Sequence, residues 1–149
     1  MSKELAYPSG IHQCIFLTAL FIHPTHIYHG FYYEMNHCAY MGIALYATSL
    51  AYWANPLINS HRRTLDVVVA KSSILYHFYL SLHTQNKIST SLPIVVGSFL
   101  YYLSFYFCNF KCTKSAALCH CLLHGLVSFG ASATYADYYC AKKMQTIPF

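Results

Sequence analysis

Charge is what this chain has least of. Of its 149 residues only 9% are Asp, Glu, Lys or Arg, against about 25% in a soluble domain, and the acidic ones are Glu4, Glu34, Asp66 and Asp137. So few charges cannot solvate a globular surface, which excludes an ordinary soluble fold. A basic-aromatic nucleic-acid module is missing, as are an internal repeat, a low-complexity tract and a domain boundary. Cys108 and Cys112 have no second matching pair, so the seven cysteines define neither a zinc site nor a disulfide framework. Cys14, Cys108, Cys119 and Cys121 lie in apolar runs and read as small buried hydrophobes. No small-residue cleavage site follows the first apolar run, Cys14 to Ile22. His23-Pro24 stands there instead, with one basic residue upstream, so a cleaved signal is not expected.

What the chain has is apolar surface. Hydrophobic residues make up 56% and aromatics 17%, with mean hydropathy +0.37. This composition predicts one integral membrane domain over 1–149, an all-α polytopic helix bundle. Four spans are expected, at about 38–54, 65–82, 88–108 and 115–135. The run over 88–108 is the clearest, having no ionisable group except tyrosine. A further membrane segment over 11–22 has a length that fits either a short span or an interfacial helix. The stretch after Pro24, rich in Tyr and His, reads as interfacial, with His23, His26 and His29 facing solvent or headgroups. Asn55-Pro56 ends one helix. Thr64 is expected to cap the next, with Asp66 in its first turn near the positive end of the helix dipole. Gly125, Ser128, Gly130, Ala131, Ser132 and Ala133 suit close packing on a neighbour.

The net charge of +5 comes largely from Lys and Arg between the apolar runs, the pattern of loops and headgroup contacts. With five spans, Lys3, Arg62, Arg63, Lys111 and Lys114 share one side and Lys87, Lys142 and Lys143 the other; with four, the sides are even. The expected partners are the lipid bilayer and other membrane subunits or further copies of the chain, with no nucleic acid.

Ionisable groups at membrane depth are costly and are functional candidates by default. The spans contribute Asp66 and His77 on one helix and His120 and His124 on another. Asp66, Ala70, Ser73 and His77 follow steps of four, three and four, a single helix face. His120 and His124, one turn apart, also share a face. The two helices run in the same direction, which puts Asp66 and His120 on one side of the membrane and lets them share a pocket. Such a His pair supplies two of the three ligands of a catalytic zinc, whose bound water Asp66 could orient or deprotonate. His77 lies about 16 Å along the helix from Asp66, too deep to be the third.

A Ser/Thr-x-x-x-His helix, an Asp at the start of the following helix and a His-x-x-x-His on the last helix resemble the pattern of the CREST membrane hydrolases, which include alkaline ceramidases and progestin/adipoQ receptors. The resemblance implies a helix bundle with a zinc held by three histidines and hydrolysis of a lipid amide or ester. Asp66 matches the helix-start Asp, and His120 and His124 the terminal pair. The segment from Thr48 departs from the pattern, with Tyr52 where the family has its third histidine, and the chain has fewer spans than the family's seven.

Two other readings come from the residues themselves. Haem or quinone binding would pair His120 or His124 axially with His77. The leading reading is a structural or assembly component, whose histidines bond Tyr hydroxyls, Ser73 or backbone carbonyls across the bundle.

Overall fold

The computed structural model describes residues 5–7 and 10–145; Lys3, Glu4, Pro8 and Ser9 lie outside them. The fold is all-helical: α1 Ile11–Tyr32, α2 Asn36–Trp53, α3 His61–Ser81, α4 Lys87–Asn109 and α5 Thr113–Gln145. Two of these, α4 and α5, are long and apolar enough to cross a membrane.

The first correction falls on α1. Instead of stopping at His23-Pro24 and giving way to an interfacial stretch, it runs on as one helix to Tyr32. Pro24 removes a single backbone donor, a loss that packed neighbours can make good in a bundle. The buried residues Ile15, Ala19, His23, His26 and Gly30 are spaced four, four, three and four, one face continuing through the proline. His23 and His26 therefore point inward.

The second correction concerns α3. Its N-cap is Ser60, whose hydroxyl accepts from the Arg63 amide at 3.2 Å, and not Thr64. Asp66 consequently lies beyond the first turn, where the helix dipole no longer explains it. At the other end of the bundle, α5 extends past the expected end of the last span and carries Asp137 within it. The Asp137 carboxylate accepts from the Gln85 amide at 2.6 Å and from Asn86 Nδ2 at 3.0 Å, latching the α3–α4 turn. Helices α1 and α4 both end on a non-glycine residue in the left-handed region, Glu34 (φ 59°) and Lys111 (φ 58°). The following amide then reaches back to a free carbonyl: Met35 to Gly30 at 2.7 Å and Cys112 to Phe107 at 2.9 Å.

Packing is tightest between α4 and α5. A Cβ on Gly130 would stand 2.7 Å from Ile94 Cγ1 and 3.1 Å from the Thr90 carbonyl, and one on Gly97 would stand 2.7 Å from Val127 Cγ2. Glycine is required there because the helices approach too closely for a side chain. Helix α3 engages α4 and α5 far less than they engage each other, and the space left beneath it is the cavity described below.

Large apolar side chains are exposed and many polar ones are buried. The exterior carries Ile88, Phe21, Leu75, Phe99 and Phe129 well exposed, whereas His23, His26, Asp66, Ser73, His77, Thr90, His124 and Thr134 are buried.

Candidate functional site

A cavity of about 300 Å³ lies between α3 and the other four helices. Asp66, Ala70, Ser73 and His77 all line it, so the face read from their spacing is the inner face of α3. His120 and His124 line it from α5. All four candidates named from the sequence therefore meet in one space. They are joined by His23 and His26 of α1, which the interfacial reading of that stretch had turned outward.

Asp66 is held by α2. Ser49 Oγ donates to Asp66 Oδ1 at 2.6 Å, a charge-assisted bond if the carboxyl is ionised. Ser49 falls on the stripe that α2 buries, with Gly42, Leu45, Tyr52 and Trp53. Four residues after Ser49 comes Trp53, whose ring stands 4.8 Å from His120 between centroids. Tyr52, the residue before Trp53, lines the same cavity, so α2 brings an indole and a phenol to the His pair and no imidazole.

The remaining imidazoles divide into two groups. His26 Nδ1 meets Ser128 Oγ at 3.0 Å and His29 Nδ1 meets Ser132 Oγ at 2.8 Å, two like contacts one turn apart along the α1–α5 seam. His77 Nδ1 donates to the Ser73 carbonyl at 2.7 Å. That sets its tautomer, leaving Nε2 to accept from the Tyr135 hydroxyl. Against these, both nitrogens of His23, Nδ1 of His124 and Nε1 of Trp53 are buried without a protein partner. All three rings line the cavity.

Two cations also reach this space. Arg63 donates through Nη1 to the Ile58 carbonyl at 3.0 Å, and Lys71, midway along α3, lines the cavity while remaining exposed. Lys71 belongs with the ionisable groups of the spans and was missing from the four residues that hydropathy and spacing single out.

Neither expected cofactor fits these residues. Among the described residues no group of three His, Cys, Asp or Glu side chains could hold a metal ion, so the zinc set that begins with His120 and His124 is not completed. For a haem, His77 would need a free lone pair, and both its nitrogens are engaged.

No protein-family model matches this chain, and no curated protein or solved structure matches it.

Proposed function

We propose that this chain is an integral membrane helix bundle of four spans, with α1 as a fifth, that holds a small amphiphilic molecule in the cavity beneath α3. The observation that carries the reading is the set of unpartnered buried atoms on His23, His124 and Trp53. Leaving a buried polar group unsatisfied costs about 1–3 kcal/mol, so four such atoms on three rings that line one cavity call for a ligand whose binding turns these rings to meet it. A purely structural role accounts for His26, His29 and His77, each bonded across or along the bundle. It leaves His23 and His124 unexplained.

The cavity suits a molecule with a polar head and an apolar body. Trp53 offers a donor, and His23 offers both a donor and an acceptor, which a hydroxyl, amide or ester group can satisfy. Leu45, Leu123, Val127 and Ile74 line the remainder. At about 300 Å³ it stands at the lower end of small-molecule pockets, ~300–1,000 Å³. The resemblance to CREST membrane hydrolases, carried by Asp66, His120 and His124, supports a lipid-derived ligand. With Tyr52 where the family has its third histidine, and no group of three metal ligands among the described residues, the role is retention of the ligand, not zinc-dependent hydrolysis.

The test is extraction and mass spectrometry of detergent-purified protein, followed by thermal-shift measurements with long-chain alcohols, amides and acids. One co-purifying amphiphile per chain is expected, lost in Ala70→Trp, which fills the cavity from α3. Neither a bound amphiphile nor a thermal shift with any of the panel would end this reading. It would favour a structural or assembly component, for which the exposed apolar face of α4 (Ile88, Leu92, Phe99) is the supporting observation.

A further inference from the structure

The rings of the cavity stand in single file. Between centroids, His120 is 5.0 Å from His124, His124 4.8 Å from His23, His23 5.5 Å from His26, and His26 6.5 Å from His77. His77 then bonds the Tyr135 hydroxyl. Three helices contribute to the file, so it is a product of the tertiary fold and no single repeat in the chain encodes it. His120 and Tyr135 lie on the same helix, fifteen residues apart, a rise of ~22 Å. That is most of the ~30 Å hydrocarbon core of a bilayer.

We propose that this file relays protons along the inside of the bundle, between its Asp66 end and its Tyr135 end. A neutral imidazole carries a proton on one nitrogen and a lone pair on the other. Accepting a proton at the lone pair while releasing the one opposite moves one unit of charge across the ring and returns the ring to neutrality. A ring rotation or a return exchange with water resets the tautomer. Only N–H and O–H bonds form and break, and no electrons are transferred.

The relay requires cavity water to carry the proton between rings that share no hydrogen bond. A space of about 300 Å³ corresponds to ~10 waters at ~30 Å³ each. In the middle of the file, both nitrogens of His23 and Nδ1 of His124 are buried with no protein partner, and that is where the relay needs water. At the far end His77 Nε2 accepts from the Tyr135 hydroxyl, so His77 takes up a proton there and releases the one on Nδ1 to Ser73 Oγ, 3.3 Å away, which passes its own proton into the cavity; Tyr76 and Tyr138 pack beyond Tyr135. At the near end Asp66 offsets the charge of an entering proton, whereas Arg63 and Lys71, lining the same space, repel other cations. The relay goes beyond the amphiphile reading: it requires water in the cavity, so occupancy by an amphiphile interrupts it.

The experiment uses the full chain, stripped of any co-purified amphiphile as checked by mass spectrometry and reconstituted into phosphatidylcholine–phosphatidylglycerol vesicles with a trapped pH dye. Potassium is symmetrical and valinomycin clamps the potential while the outside pH is dropped. Internal acidification is expected to be faster than in protein-free vesicles, to fall to the protein-free rate in His23→Phe and in His124→Phe, and to be unchanged in His83→Ala, an exposed imidazole outside the file. Folding of each variant is checked by helical circular dichroism and a monodisperse elution peak. Where a Phe variant does not fold, Gln at the same position keeps a polar group that holds water without passing a proton through itself, and the same loss is expected. Acidification no faster than in protein-free vesicles overturns the relay. So does a folded Phe or Gln variant that conducts like the parent.

Discussion

The α4–α5 seam and the space under α3 are two solutions to packing helices in one small bundle. At the seam, Gly97 and Gly130 bring two helices so close that a methyl group would overlap its neighbours, and cohesion comes from van der Waals contact. Under α3, the side chains of Asp66, Ser73 and His77 face imidazoles across a cavity, and cohesion rests on a few specific hydrogen bonds. The difference shows that tight packing here serves as a frame. Its rigidity lets the opposite side remain open and polar.

The comparison predicts a hierarchy of mutational effects. The largest belongs to Gly130→Leu, whose side chain has to displace Ile94 and meets the Thr90 carbonyl. A loss of about 3 kcal/mol is expected, read as a shift in the SDS-unfolding midpoint in mixed micelles. Ala70→Leu, facing the cavity, should cost far less, and equal losses would remove the contrast between the two regions. Next come the histidines. Tyr135→Phe strips His77 Nε2 of its donor and should destabilise by about 1–3 kcal/mol. In protein freed of bound lipid, His23→Leu removes atoms with no protein partner and should be neutral or stabilising, within about 1 kcal/mol. Loss of stability in both would indicate that His23 has a structural role like that of His77.

Smaller effects are expected at the ends of the bundle. Asp137→Ala frees the Gln85 amide and Asn86; faster hydrogen exchange at Gln85, with a cost of about 1 kcal/mol, is the expected sign of a loosened α3–α4 turn. The smallest is at Glu34. The Lys142 ammonium, bonded to it at 2.9 Å, holds its carboxyl below the ordinary value of 4.5. A carboxylate with a lowered folded-state pKa contributes stability above the unfolded pKa and loses it as pH falls through the folded one. Lys142→Ala should therefore move the Glu34 midpoint up towards 4.5, seen by carboxyl-carbon NMR, with little change in stability at neutral pH.

Much of the candidate site was legible because helical spacing is a local property. Asp66, Ala70, Ser73 and His77 announce their shared face by steps of three and four, and His120 and His124 do the same. Their convergence followed from short turns that make α3 and α5 parallel. His23 and His26 were misplaced because Pro24 stands between them and proline is a strong signal of a helix end. The face Ile15, Ala19, His23, His26 and Gly30 runs straight through it and would have revealed them. Ser49 and Trp53, on the stripe that α2 buries, were not singled out, since a small hydroxyl and an indole inside an apolar run carry no periodic signal of their own. Lys71 was overlooked in a segment judged by its apolar neighbours.

The sequence by itself determined the helical class and the scarcity of surface charge, since composition and periodicity depend only on which residues are present and in what order. It also determined the inward faces of α3 and α5. Tertiary structure alone decided that α1 continues past its proline and that Trp53 meets His120. It decided, too, that imidazoles from three helices stand in file. These relations depend on how helices far apart in the chain approach one another, and that approach is governed by glycine-sized gaps and buried hydrogen bonds that no local pattern records.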